Sequence, residues 1–219
     1  TAYNSIVGGG PNACVLHYTE NRDKLRDGEL VLIDAGCEYQ GYAADITRTF
    51  PVNGRFSPEQ RALYEVVLKA QLAAIAKVKP GNTWNQPHDA TVRVITRGLI
   101  ELGLLKGKEK DLIKSEAYKD FYMHRAGHWL GMDVHDVGQY RELSETSSTA
   151  EKPWRILRPG MVTTIEPGIY VRPAPGVPEQ YWNIGIRIED DALVTESGCE
   201  ILSKDAPKTV AEIEAIMKE

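Results

Sequence analysis

Apolar runs, alternating stretches and helical stripes succeed one another along this chain with clear punctuation between them. Leu30-Val31-Leu32-Ile33 is unbroken by polar residues and ends on Asp34-Ala35-Gly36, the pattern of a strand buried on both faces. Glu38-Tyr39-Gln40-Gly41 has turn composition, and a second strand-like stretch over 42–50 follows, so the two are expected to pair as a hairpin. Ser57-Pro58-Glu59-Gln60 supplies a capping serine, a proline at the first helical position and a glutamine three residues past the cap. The stripe Leu63, Val66, Val67, Ala70, Ala73 and Ala74 carries that helix to the stop at Lys79-Pro80-Gly81. A second helix is predicted over about 86–102, closed by Gly103, and the lysine-rich 106–114 segment reads as a solvated connector or short helix. Residues 14–18 have the makings of a short strand. Further strands are predicted at 161–165, 168–171, 184–188 and 192–195, and a short amphipathic helix at 209–218.

The chain has 219 residues, 42% apolar and 26% charged, so one globular domain spanning 1–219 is expected. Disorder, collagen-like repeats and a disulfide scaffold are excluded. Cys14, Cys37 and Cys199 are an odd count without close spacing, which suits free thiols in a reducing, cytoplasmic setting. A net charge of −5 with no basic stripe argues against a nucleic-acid partner. No apolar stretch approaches the ~20 residues of a membrane span, so no membrane is expected either. The chain opens on Thr1-Ala2-Tyr3 with neither a methionine nor an element start signal, and reads as cut from something longer.

The informative feature is acidic residues inside apolar strands: Asp34, Glu166 and Glu189 each end one, and Asp45 stands within the 42–50 stretch. Any one of them alone is most simply a strand end turned to solvent. Four together change that, because a carboxylate taken out of water costs several kcal/mol unless compensated. If Tyr39 and Gln40 are the two turn residues, Asp34 falls directly opposite Asp45, with Cβ atoms ~4.5–5.5 Å apart; a bulge at Gly41 would shift this by one place. Like charges so placed call for a cation between them. Three histidines, His124, His128 and His135, fall in one short run. An H-x-x-x-H pair is often chance on a helix face, but Gly127 and Gly131 argue against a regular helix and suggest a backbone shaped for close approach of a ligand. His17 stands in a distant apolar segment, and His88 beside Pro87 reads as plain surface with no role. Four carboxylates and one histidine balance two divalent cations and a bridging hydroxide. Such an oxygen-rich set suits Mn²⁺ or Co²⁺ better than a structural zinc. Two such ions can share a hydroxide and polarise a carbonyl, with the other histidines as proton carriers and oxyanion donors. No nucleophile elbow or phosphate loop is present.

These residues carry a resemblance. Leu32-Ile33-Asp34-Ala35-Gly36, 42–50, His124 through His128-Trp129-Leu130-Gly131-Met132-Asp133-Val134-His135, Ile165-Glu166-Pro167-Gly168 and Gly185-Ile186-Arg187-Ile188-Glu189-Asp190 resemble the pita-bread metallopeptidases of family M24. His17-Tyr18-Thr19-Glu20-Asn21 and Phe50-Pro51-Val52-Asn53-Gly54 are most similar to the bacterial Xaa-Pro aminopeptidase branch. The resemblance implies an α+β pita-bread (creatinase/aminopeptidase) fold, a pseudo-two-fold curved antiparallel sheet flanked by helices, its first half truncated. It implies two divalent metal ions, Mn²⁺ first and Co²⁺ or Zn²⁺ as alternatives, held by Asp34, Asp45, His128, Glu166 and Glu189. His17, His124 and His135 would bind substrate and steady the tetrahedral intermediate, and Arg187 would support the bridging carboxylates. The implied reaction is hydrolysis of an N-terminal Xaa-Pro bond in a peptide with proline second. Alternatives are a prolidase acting on Xaa-Pro dipeptides, or a truncated inactive or peptide-binding domain. A homo-oligomer is implied for the intact protein. The polar 141–155 stretch is longer than in relatives and is expected to be a surface loop near the mouth of the site.

Overall fold

The computed structural model describes residues 1–142 and 152–218. The chain enters through β1 (Ile6–Gly9) and a 3₁₀ turn at Gly10–Cys14, where Gly10 takes a positive φ of 52° and Pro11 follows. The strand expected over 14–18 therefore does not form; β1, just before it, takes that place. β2 (Leu30–Ala35), β3 (Glu38–Tyr39), β4 (Tyr42–Ala43) and β5 (Ile46–Pro51) follow, with β1, β2 and β5 joined in an antiparallel sheet of order β1-β2-β5. β3 and β4 form the tip of the hairpin, with Tyr39 opposite Tyr42.

The turn is Gln40-Gly41, not Tyr39-Gln40. Both residues have positive φ, 52° and 84°, as a two-residue type I′ turn demands, and Gly41 meets that demand without strain. The register moves two residues from the expected one, so Asp34 pairs with Thr47 and not with Asp45. Because side chains alternate with period two, the shift leaves Asp45 a diagonal neighbour of Asp34 on the same face.

α1 (Pro58–Ile75) starts in the expected capping box, with Ser57 and Gln60 each accepting the other's backbone N–H. It packs against α2 (Asn85–Glu101), and the buried faces of both cover the sheets: Leu63, Tyr64, Val67, Ile95 and Leu99 form one core with Ile169, Ile186 and Ile188. α3 (Glu109–Lys114) buries nothing, as its lysine-rich composition suggested. β6 (Val162–Ile165), β7 (Gly168–Val171), β8 (Ile184–Arg187), β9 (Asp190–Val194) and β10 (Cys199–Ile201) complete the strands, and α4 (Val210–Ile216) closes the chain. β10-β9-β6 is a second three-stranded antiparallel sheet, and β7-β8 a hairpin. The fold is α+β, as expected. Between 141 and 155 the chain closes on itself at an Arg141–Trp154 bridge; the middle of the expected surface loop lies outside the described residues. No described helix is long and apolar enough to cross a membrane.

Candidate metal centre

A cavity with about 660 Å³ of open space lies where the two sheets meet β8, and all nine residues singled out above line it: four carboxylates, His17, His124, His128, His135 and Arg187. Each acid sits where a strand ladder stops. Asp34 is next to last in β2, Asp45 immediately precedes β5, Glu166 follows β6, and Glu189 separates β8 from β9. At such a position the backbone still holds the residue firmly while the side chain is free to turn inward.

The acids converge with His128. Its Nε2 lies 3.3 Å from Asp45 Oδ2 and 3.8 Å from Glu166 Oε1. One ligand atom from each of Asp45, His128 and Glu189 falls within 4.8 Å of the other two. His128 Nδ1 faces the Trp129 carbonyl at 2.9 Å, and a carbonyl only accepts, so that nitrogen carries the proton. The lone pair of a neutral ring then points from Nε2 straight at a carboxylate oxygen. Only a proton or a metal ion between the two relieves that contact, and the oxygen-rich set fits a hard divalent cation.

The electrostatics agree. Burial pushes Glu166 up to about 7, against the pull of His128 and Arg187. Burial and the neighbouring acids raise Glu189, 1% exposed, well above the carboxylate range. Burial acts on Asp45 in the same sense, but hydrogen bonds from His128 and Tyr3 outweigh it and hold Asp45 below the ordinary value. His128 in turn is raised, burial being overcome by Asp45 and Glu166. Carboxyls crowded together and largely withdrawn from solvent keep protons and so form a site that exchanges them for cations.

A second set of contacts orients this one. Arg187 donates to Asp34 Oδ2 at 2.6 Å and to the Tyr170 hydroxyl at 3.0 Å. His124 faces that hydroxyl through Nε2 at 2.8 Å and the Arg125 carbonyl through Nδ1 at 2.8 Å. Burial and Arg187 push His124 down to about 3, so it is neutral, donating from Nδ1 and accepting from Tyr170 at Nε2. The Thr47 hydroxyl donates to Glu189 Oε2 at 2.6 Å, and the Tyr3 hydroxyl lies 2.5 Å from both Asp34 Oδ1 and Asp45 Oδ1. Behind the cavity, fully buried Asp190 accepts from Arg48, Ser203, Gln71 and Lys208 at 2.6–2.8 Å.

Sequence reasoning missed Tyr3, Thr47 and Tyr170. Thr47 and Thr49 left a trace, two threonines alternating on one face of β5 and flanking Arg48. One reading is corrected and another extended. His88 is not plain surface: its Nδ1 is buried without a partner near Tyr122, and burial takes it down to about 4. Gly127 and Gly131 also make room for the protein itself: a Cβ on Gly127, which lines the cavity, would strike the Thr164 carbonyl and one on Gly131 the Asp136 carboxylate.

Residues 1–196 match the metallopeptidase family M24. The chain belongs to that family. It is 56% identical to a Xaa-Pro aminopeptidase of Haemophilus influenzae and 51% identical to one of Escherichia coli K12, each over 216 residues and 99% of this chain. Those alignments take in 48% and 47% of the relatives, so the chain spans about half the length of the curated M24 proteins it matches. Among solved structures, the aminopeptidase PepP of Pseudomonas aeruginosa superimposes with a TM-score of 0.94 at 60% identity, covering 99% of this chain and 48% of that one. E. coli aminopeptidase P with the inhibitor Pro-Leu does so at 0.92 and 51%, covering 99% and 47%. The M24 fold read from the sequence is thus the fold of the chain.

Proposed function

We propose that this M24 chain is the catalytic domain of an exopeptidase that uses two divalent cations, manganese first among them, to hydrolyse the N-terminal Xaa-Pro bond of peptides. The observation that carries the reading is the convergence of four carboxylates and His128 Nε2 on one cavity, where burial and crowding favour retained protons on Glu166 and Glu189. Asp34, Asp45, His128, Glu166 and Glu189 would hold the ions. Bound there, the ions would supply the positive charge that activates a water and polarises the scissile carbonyl.

The chain's own groups do the rest. Glu166, raised to about 7, is matched to taking and returning a proton near neutral pH. His17 and His135 line the cavity with ring nitrogens that hold no hydrogen bond among the described residues, so they are free to donate to a developing oxyanion. His124 is engaged on both nitrogens, and it holds Tyr170 and, through it, Arg187 in place. Arg187 fixes Asp34 and offsets the negative floor.

The test is release of the first residue from a Xaa-Pro-Xaa tripeptide by the chain loaded with Mn²⁺, beside metal counting by mass spectrometry. Turnover with two bound ions supports the reading. Two ions bound with no Xaa-Pro bond cleaved would sink it. An Xaa-Pro dipeptide cleaved in preference to the tripeptide would make the activity a prolidase.

A further inference from the structure

The cavity is lopsided in charge. Its floor carries four carboxylates, while its lip carries a guanidinium, Arg125, that the proposed chemistry leaves unused. Arg125 donates to the side-chain oxygen of Asn85 and to no other group among the described residues. The acid Asp89 is in its surroundings but is engaged through Asn85, whose Nδ2 donates to Asp89 Oδ1 at 2.7 Å. A cation lining a cleft without an ion-pair partner of its own is available to a ligand.

Its setting favours a planar anion. The guanidinium carbon lies 4.9 Å from the centre of the Trp154 ring, and that of Arg141 lies 3.3 Å from the same centre. Two like charges thus share one aromatic ring, an arrangement that costs energy alone and gains it when an anion joins them. Burial lowers the pKa of Arg125 and the charge of Arg141 adds to the effect, outweighing the opposing pull of Tyr122, Asp89 and Tyr118. A guanidinium steadied in this way offers paired N–H donors to a carboxylate.

In a short peptide the group that is always negative is the C-terminal carboxylate. Its N-terminal ammonium is drawn to the acidic floor and repelled from the lip. The accessible volume of the cavity is about 230 Å³, room for the end of a peptide and not for a long chain. We propose that Arg125 anchors the C-terminal carboxylate of short peptides, so that the cleft selects substrates with a free carboxyl end. The proposal rests on the peptidase reading for its ligand class, but its binding test stands apart from turnover.

The experiment is calorimetric titration of the chain with Ala-Pro-Leu and with Ala-Pro-Leu amide, for wild type, Arg125→Gln and Arg125→Lys. The free acid is expected to bind wild type about tenfold more tightly than the amide. In Arg125→Gln the gap should close to within about twofold, with amide affinity unchanged, which also reports that the variant folds. Arg125→Lys should restore part of the gap. No gap in wild type, or an equal gap in Arg125→Gln, overturns the proposal. With metals loaded, a gap without release of alanine leaves the anchor standing and fails the peptidase reading. Release of alanine without a gap fails the anchor alone.

Discussion

Tyr3 shows how much the centre depends on single protons. The Tyr3 hydroxyl stands 2.5 Å from one oxygen of each of two carboxylates and has a single hydrogen to give them. Tyr3→Phe removes the shared donor and leaves the acids facing each other. Its expected cost to the metal-free chain is about 1–3 kcal/mol, read by urea unfolding, and the cost should shrink when Mn²⁺ is present. The same protons fix the pH response. Glu166 and Asp191, both at about 7, and the raised Glu189 hold protons in the folded chain that the unfolded chain gives up. The folded state binds more protons, so metal-free stability falls as pH rises through about 7; His128, also raised, acts in the same sense. His124 and His88, at about 3 and about 4, act oppositely, but only below the ordinary histidine value near 6.5. Metal binding displaces the retained protons, so Mn²⁺ affinity measured by calorimetry should tighten by tenfold or more from about pH 6 to about pH 8. An affinity that does not change with pH would show the carboxyls to be already ionised.

Among the elements, the run that carries the three histidines is shaped by Gly127. The Thr164 N–H donates to the His128 carbonyl at 3.0 Å, and the His128 N–H donates to Thr164 Oγ1 at 3.1 Å, so this loop is laced to β6 with no room for a side chain at 127. Gly127→Ala is expected to lower stability by about 2 kcal/mol and to weaken Mn²⁺ binding at least tenfold, because His128 moves with the loop. Wild-type affinity in that variant would show that the loop tolerates the displacement. The element scale also explains what was legible beforehand. Helix α1 announced itself through a capping box and stripe written entirely within its own residues, and the four acids through their clash with the apolar runs they end or interrupt. The register of the β2–β5 hairpin depended on which two residues took positive φ, and Gly41 was the signal that favoured Gln40-Gly41 over Tyr39-Gln40. Tyr3 and Tyr170 were invisible because their partners lie 17 to 46 residues away, and only the folded chain brings them together.

Over the whole molecule the centre is a seam. Asp34 and Asp45 come from the first sheet, and Glu166 and Glu189 border the second, so cations held between them would tie the halves of the chain together. A ligand that binds only the folded state stabilises it by about 2.7 kcal/mol at a hundred times its Kd. Melting followed by circular dichroism should therefore shift upward by several degrees with saturating Mn²⁺. Asp45→Asn should abolish the shift, and a shift preserved in that variant would place the ions elsewhere.

Asp190 has a consequence at the far end of the chain. It is the neighbour of Glu189, and two of its four donors, Ser203 and Lys208, come from the stretch after β10, beyond the 196 residues that match the family. The tail is in effect a tether on the backside of an acid that lines the cavity. Clipping it after Leu202 would leave Arg48 and Gln71 to hold a carboxylate that four groups now share, and the peptide bearing Glu189 would slacken. A cut on the outer surface, made without touching any residue of the cavity, should then be felt as a looser grip on Mn²⁺ by at least several-fold in the same titration. Equal affinity in clipped and intact chains would show that the tether carries no tension.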